Sequence, residues 1–123
     1  MICLDTNYLI MALVAGSREA ERLIDWAESG KRLYVPAIVW YEFLCGPVDA
    51  QHVSTMRAVL HEILPFDDAQ AEEAARLFNA TGRRRTLRVN AMVAAAATSR
   101  EPPLASRNSA DFEVFTPFGL QLT

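Results

Sequence analysis

The chain has 123 residues, 51% of them hydrophobic and 22% charged, with a net charge of −3, which fits one globular domain spanning 1–123 with one core. No apolar stretch approaches the roughly 20 residues that cross a bilayer, and the start lacks a basic segment followed by an apolar one, so neither a membrane anchor nor a signal peptide is expected. The acidic balance excludes a nucleic-acid binder that works by overall positive charge; any such role must rest on local patches and a metal.

Strand-like and helix-like segments alternate without a linker. Ile2–Leu4 is an apolar run that reads as a buried strand of a parallel sheet. Residues Tyr8–Val14 and Arg18–Glu28 read as helices, the second with Ala20, Leu23, Ile24 and Ala27 at helical spacing and Gly30 as its stop. Leu33–Val35 is a second strand, closed by Pro36. Ile38–Leu44 is helical up to Gly46-Pro47, and 50–62 carries Val53, Met56, Val59 and Leu60 on one face. Ile63–Phe66 is a third strand, in which Pro65 suits an end better than a centre. Asp67 and Asp68 offer an N-cap for a helix over Ala69–Thr81, ended by Gly82.

Leu87–Ser99 is a nearly all-apolar, alanine-rich helix, too short to span a membrane and therefore expected to be buried, with Pro102-Pro103 breaking it. Leu104-Ala105 and Glu113–Phe115 are the last two strand candidates. The order β-α-α-β-α-α-β-α-α-β-β predicts an α/β fold, a mostly parallel sheet with helices on both faces. Cys3 and Cys45 form no CxxC pair, which points to a reducing cytoplasm rather than a disulfide or a zinc site.

A few polar side chains stand out against this apolar background. Asp5 follows the first strand, at the sheet edge where open α/β folds place their ligands, although it also suits the cap of the next helix. Glu42 is a lone acid in Trp40-Tyr41-Glu42-Phe43-Leu44; an unpaired buried carboxylate is costly, so it either reaches solvent or ligates a metal. Asn90 opens the alanine-rich helix, as a cap or as a ligand. Asn108 and Asp111 follow the Leu104-Ala105 strand in a segment equally consistent with a polar turn. Carboxylates gathered at one sheet edge repel and raise each other's pKa. A hard divalent cation relieves that repulsion through oxygen ligands and, with a phosphate at hand, supports hydrolysis of a phosphodiester.

Leu4-Asp5-Thr6-Asn7, Tyr41-Glu42, Asn90-Ala91-Met92-Val93-Ala94-Ala95 and Ser106-Arg107-Asn108-Ser109-Ala110-Asp111-Phe112, in that order, resemble a PIN domain, specifically the VapC-type toxin ribonucleases of toxin–antitoxin pairs. The resemblance covers essentially the whole chain. It implies an α/β/α sandwich around a parallel sheet, a Mg²⁺- or Mn²⁺-dependent endoribonuclease acting on RNA, a homodimer, and a cognate antitoxin that inserts a segment into the active site. By position Asp5 matches the family's first acid and Glu42 its second. Asn90 stands where the third acid, an Asp, is usual. Asn108 stands where members carry a fourth acid or Asn, and Asp111, three residues on, is the other candidate for that carboxylate. The metal set implied is Asp5, Glu42, Asn90 and Asp111, with Thr6 and Ser106 at small hydroxyl positions beside metal or phosphate.

An amide at position 90 brings an oxygen but no charge and weakens the attraction for a divalent ion; weak or absent nuclease activity with an intact fold is the expectation. Arg83-Arg84-Arg85 and Arg88 form the one basic cluster. It reads either as a solvated helix end or as a phosphate-binding patch near Asn90, with Arg85 and Arg88 as the RNA contacts. Trp26, Trp40, Tyr41 and Phe43 read as core or interface rather than base-stacking residues, and His52 and His61 as surface residues without a catalytic part. A catalytically silent PIN domain that binds protein or RNA is the alternative reading. A flavodoxin-like phospho-regulator would want a late lysine, and the only lysine is Lys31.

Overall fold

Each strand is short and almost wholly apolar, and each leads into a helix. In the computed structural model, which describes residues 1–101 and 103–123, β1 (Ile2–Leu4) is followed by α1 (Thr6–Ala12) and α2 (Arg18–Glu28). Next come β2 (Leu33–Pro36), α3 (Ala37–Cys45), α4 (Ala50–Val59), β3 (Glu62–Leu64), α5 (Asp68–Ala80), α6 (Arg88–Arg100) and β4 (Leu104–Ala105). The four strands form one all-parallel sheet in the order β3-β2-β1-β4, flanked by the helices. This is the α/β architecture that the alternation predicts.

β1 lies between β2 and β4, and all of its residues are buried. Its register pairs Leu4 with Ala105, and the Asp5 N–H extends that ladder to the Ala105 carbonyl at 3.1 Å. Because every strand runs the same way, the residues that follow β1, β2 and β4 emerge at one edge of the sheet.

Aspartate and serine side chains start the helices. Asp5 caps α1, Ser17 caps α2, Asp49 caps α4 and Asp67 caps α5, each accepting a backbone N–H. α1 therefore begins at Thr6, two residues before the periodicity of its apolar residues suggests. α4 stops at Val59 rather than 62, because Leu60 turns to extended backbone and its chain continues into β3, which starts at Glu62 rather than Ile63. α5 closes through Gly82 at φ +88°, a conformation that suits glycine.

The core fills the space between sheet and helices with Leu4, Leu9, Val35, Phe43, Leu77, Val93 and Phe115 among its fully buried members. α6 packs against α5 and α3, and Ala94 through Ala97 are buried; methyl side chains let those helices approach closely. Trp40 and Phe43 stack in the core at 5.4 Å between ring centroids. Tyr41 projects outward, 63% exposed. His52 and His61 are exposed, and Cys3 and Cys45 are free thiols. The expected break at Pro102-Pro103 rests in part on Pro102, which lies outside the described residues.

The expected strand at Glu113–Phe115 is instead part of a 3₁₀ helix, Glu113–Phe118. Phe112 and Phe115 are both buried. Three residues per turn point both rings inward, whereas a strand would send them to opposite faces. The edge of β4 is met by an isolated parallel bridge between Leu104 and Leu122. Among the described residues no helix is long and apolar enough to cross a membrane.

Candidate functional site

The carboxyl edge of the sheet opens into a cleft of about 170 Å³. Asp5, Glu42, Asn90, Asn108 and Asp111 all line it, together with Thr6. They come from four separate parts of the chain: the end of β1, the middle of α3, the first turn of α6, and the segment after β4.

Asp5 is 9% exposed, the one buried charged or polar side chain among the described residues. Its two oxygens have different donors. The Thr6 N–H reaches Oδ1 at 2.7 Å, and the Ser106 hydroxyl donates to Oδ2 at 2.9 Å. Burial pushes the carboxyl above its ordinary pKa; these two hydrogen bonds oppose that rise, and the nearby charge of Asp111 adds to it. Asp5 is thus both a helix cap and the floor of the cleft.

Glu42 is half-buried. Its Oε1 accepts a hydrogen bond from the Thr6 hydroxyl at 3.0 Å, which ties α3 to the start of α1. Thr6 and Ser106 therefore act on the carboxylates directly, each holding one of them. Asn90 is the third residue of α6 and not its cap; that helix starts after Leu87 without a side-chain cap. Asn108 and Asp111 both reach the cleft. The Asn108 N–H donates to the Ser106 hydroxyl at 3.0 Å, so one hydroxyl orders both its own loop and Asp5.

Of the basic cluster, Arg84 lines an adjoining cavity of about 330 Å³, beside Asn90 and Asp111. Arg85 opens a 3₁₀ turn, Arg85–Leu87, on the exposed surface. The Arg88 guanidinium lies 5.9 Å from the centroid of the Phe78 ring. The apolar wall of the cleft includes Val93 and Phe112. Val93 follows Asn90 by one helical turn, a spacing from which the sequence alone signals its place.

The donors in the cleft are carboxylate, amide and hydroxyl oxygens, a set that suits a hard cation such as Mg²⁺ rather than a thiophilic metal. Asp5 supplies the physical test of that fit: its raised pKa marks a carboxylate that a cation would relieve. Among the described residues no three His, Cys, Asp or Glu side chains converge to hold a metal ion.

A family model described as the PIN domain matches residues 2–114. The chain belongs to the PIN domain family. No curated protein matches it. Among solved structures, a toxin–antitoxin complex from Klebsiella pneumoniae contains a chain 25% identical to this PIN domain (TM-score 0.68), with 92% of this chain and 91% of that one covered. A DNA-bound VapBC from Salmonella typhimurium aligns at 17% identity and TM-score 0.77, covering 99% and 96%. FitAcB from Neisseria gonorrhoeae aligns at 22% identity and TM-score 0.71, covering 100% and 97%. The last two likenesses are likenesses of fold. The PIN resemblance read from the four short motifs is thereby borne out, along with the α/β/α architecture it implies.

Proposed function

We propose that this PIN domain is a metal-dependent endoribonuclease of a toxin–antitoxin pair, hydrolysing RNA phosphodiester bonds with Mg²⁺ or Mn²⁺, and that Asn90 lowers its activity. The observation that carries the reading is the convergence of Asp5, Glu42, Asn90, Asn108 and Asp111 on one cleft at the carboxyl edge of the sheet. Family membership and the toxin–antitoxin complexes that share its fold support it. A cognate antitoxin, a homodimeric state and a cytoplasmic setting belong to the same proposal.

Asp5, Glu42, Asp111 and the Asn90 amide are the residues that would hold the cation. The chemistry it supplies when bound is an acidified water and neutralised phosphate charge. Asp5 is prepared for this by its two donors, which favour the ionised form against burial and hold the carboxylate in one orientation. Thr6 keeps Glu42 turned into the cleft. Val93 and Phe112 close part of the wall, limiting the water that competes with these polar contacts. Asn108 and Asp111 differ in what they bring: an amide that hydrogen-bonds, and a charge that binds. Arg84, Arg85 and Arg88 are the proposed source of phosphate contacts at the α6 side of the cleft.

The deciding experiment compares RNA cleavage in Mg²⁺ or Mn²⁺ by the chain, by Asn90→Asp, and by Asn90→Asp combined with Asp5→Ala. Restored cutting in the first variant and its loss in the second establish the nuclease and its site. Robust cutting by the chain as it stands sinks the part assigned to Asn90. That no three His, Cys, Asp or Glu side chains converge among the described residues supports one second reading, a silent PIN domain that serves as a binding module. Absence of cutting by both the chain and Asn90→Asp moves that reading ahead.

A further inference from the structure

A further cavity, of about 490 Å³, has three arginines and one glutamate in its wall. Arg18 and Arg22 come from adjacent turns of one face of α2, and Arg107 from the segment after β4. Glu19 is taken up by Arg107, at 3.2 Å. That leaves Arg18 and Arg22 as excess positive charge in a chain whose net charge is −3. Arg22 Nη2 donates to the Thr123 hydroxyl at 3.1 Å, and its guanidinium rests 4.6 Å from the Trp26 ring centroid and 5.9 Å from that of Tyr8, which presents it as a fixed, planar donor.

Tyr8 belongs to the same wall. It is 3% exposed, and its hydroxyl is the one buried side-chain polar atom among the described residues without a hydrogen-bond partner. A buried donor left unpaired is costly and calls for an explanation. Burial raises the pKa of the hydroxyl, the neighbouring charges of Arg22, Glu19 and Arg18 act on it as well, and Tyr8 stands in the wall of the arginine-lined space. Ser106 and Ser109 add two more hydroxyls.

The cavity adjoins the acidic cleft: Ser106 stands in its wall and donates to Asp5, in the wall of the cleft, at 2.9 Å. Beyond the cleft, Asn90 and Asp111 also line the Arg84 cavity. A path therefore runs from Arg84, across the acids, to Arg18 and Arg22: positive, negative, positive. A polyanion with regularly spaced charges fits that order, with a cation at its middle.

We propose that the Arg18–Arg22 cavity is a phosphate subsite for single-stranded RNA, holding a backbone phosphate that flanks the one presented to Asp5. This rests on the nuclease reading and extends it. The guanidinium forks of Arg18 and Arg22 and the hydroxyls of Tyr8 and Ser109 are all donors, as a phosphate requires. The contact positions the strand without reading its bases.

The test is fluorescence anisotropy of a labelled single-stranded RNA oligonucleotide in Mg²⁺ at several salt concentrations, using the full chain. Arg18→Gln and Arg22→Gln are each expected to weaken binding about three- to tenfold and to lower the slope of log affinity against log salt by about 0.7. Arg32→Gln, at the other edge of the sheet, is expected to change neither. Tyr8→Phe, which removes the unpaired hydroxyl and keeps the ring, is expected to weaken binding about threefold without lowering Tm. Unchanged affinity and slope in Arg18→Gln and Tyr8→Phe, with the parent chain binding normally, overturn the subsite and leave the nuclease reading standing. Loss of binding to a polyglutamate peptide in the arginine variants, with RNA affinity intact, assigns the cavity to an acidic protein segment and also overturns it. Failure of the parent chain itself to bind RNA removes the nuclease reading and the subsite together.

Discussion

The Ser106 hydroxyl donates to Asp5 Oδ2 at 2.9 Å, joining two residues 101 positions apart. Ser106→Ala leaves the β1–β4 ladder intact, because the Asp5 N–H still meets the Ala105 carbonyl. It removes one of the two donors that oppose the burial-driven rise of the Asp5 pKa. In an Asn90→Asp background the expected result is about a tenfold higher metal requirement for cleavage, with Tm nearly unchanged. A metal titration of the cleavage rate measures it.

Asp5→Asn is expected to stabilise the metal-free protein and, in an Asn90→Asp background, to abolish cleavage. Burial and Asp111 hold the Asp5 carboxyl above its ordinary pKa, so the folded state keeps this proton at a pH where the unfolded chain has lost it. Stability of the parent therefore falls as pH rises from the ordinary aspartate range to the raised folded value. The advantage of Asp5→Asn grows across that window and is constant above it. Thermal melts at a series of pH values in EDTA should show the variant higher by a few degrees, about 3 °C, at neutral pH.

Asn90→Asp adds a charge to a cleft that already holds Asp5, Glu42 and Asp111. In EDTA the variant is expected to melt lower than the parent, from repulsion. In Mg²⁺ the order reverses, since a ligand at about a hundred times its Kd adds about 2.7 kcal/mol to the folded state. A differential melt with and without Mg²⁺ reads both signs in one experiment.

Ala95 is fully buried in α6. Leucine there forces the helix off its neighbours, and Ala95→Leu is expected to cost about 1–3 kcal/mol. The measurement is urea unfolding, with a lower midpoint at unchanged slope.

Glu73 accepts from Arg76 Nε at 2.6 Å and from the Thr98 hydroxyl, tying α5 to α6. The Arg76 bond is the main cause that holds its pKa below the ordinary glutamate value, and Thr98 adds to it against partial burial. The stability it contributes is present above the ordinary glutamate range and is lost as pH falls through the lowered folded value. Glu73→Gln should cost about 1 kcal/mol at pH 7, a difference that shrinks progressively below about pH 4, which denaturant curves at both pH values would show.

Among the described residues the apolar runs and their helical periods located the four strands and the six α-helices, because burial on a sheet and on one helix face leaves a direct imprint on residue order. What escaped was set by polar detail. Asp5 caps α1 as well as facing the cleft, which moves the helix start to Thr6. The Phe112–Phe115 pair belongs to a three-residue period that a short apolar run does not distinguish from a strand. The site acids were legible because each interrupts an apolar stretch or follows a strand. The arginines were harder: Arg84, Arg85 and Arg88 are near neighbours in sequence, but only the turn geometry decides that Arg84 lines the cavity beside the cleft. Arg18 and Arg22 meet Arg107 across the fold, and no local pattern announces that meeting.

The parallel register of β1 with β4 has a consequence in time. Ser106 is made 101 residues after Asp5, and Asn108 and Asp111 follow it. At about 5–20 residues per second, a growing chain carries Asp5 for about 5–20 s before Ser106 exists to hold it. β4 cannot join β1 until then, and such distant pairing is slow to form. The site proposed here therefore comes into being only once Ser106 and the residues after it have been made and β4 has joined β1.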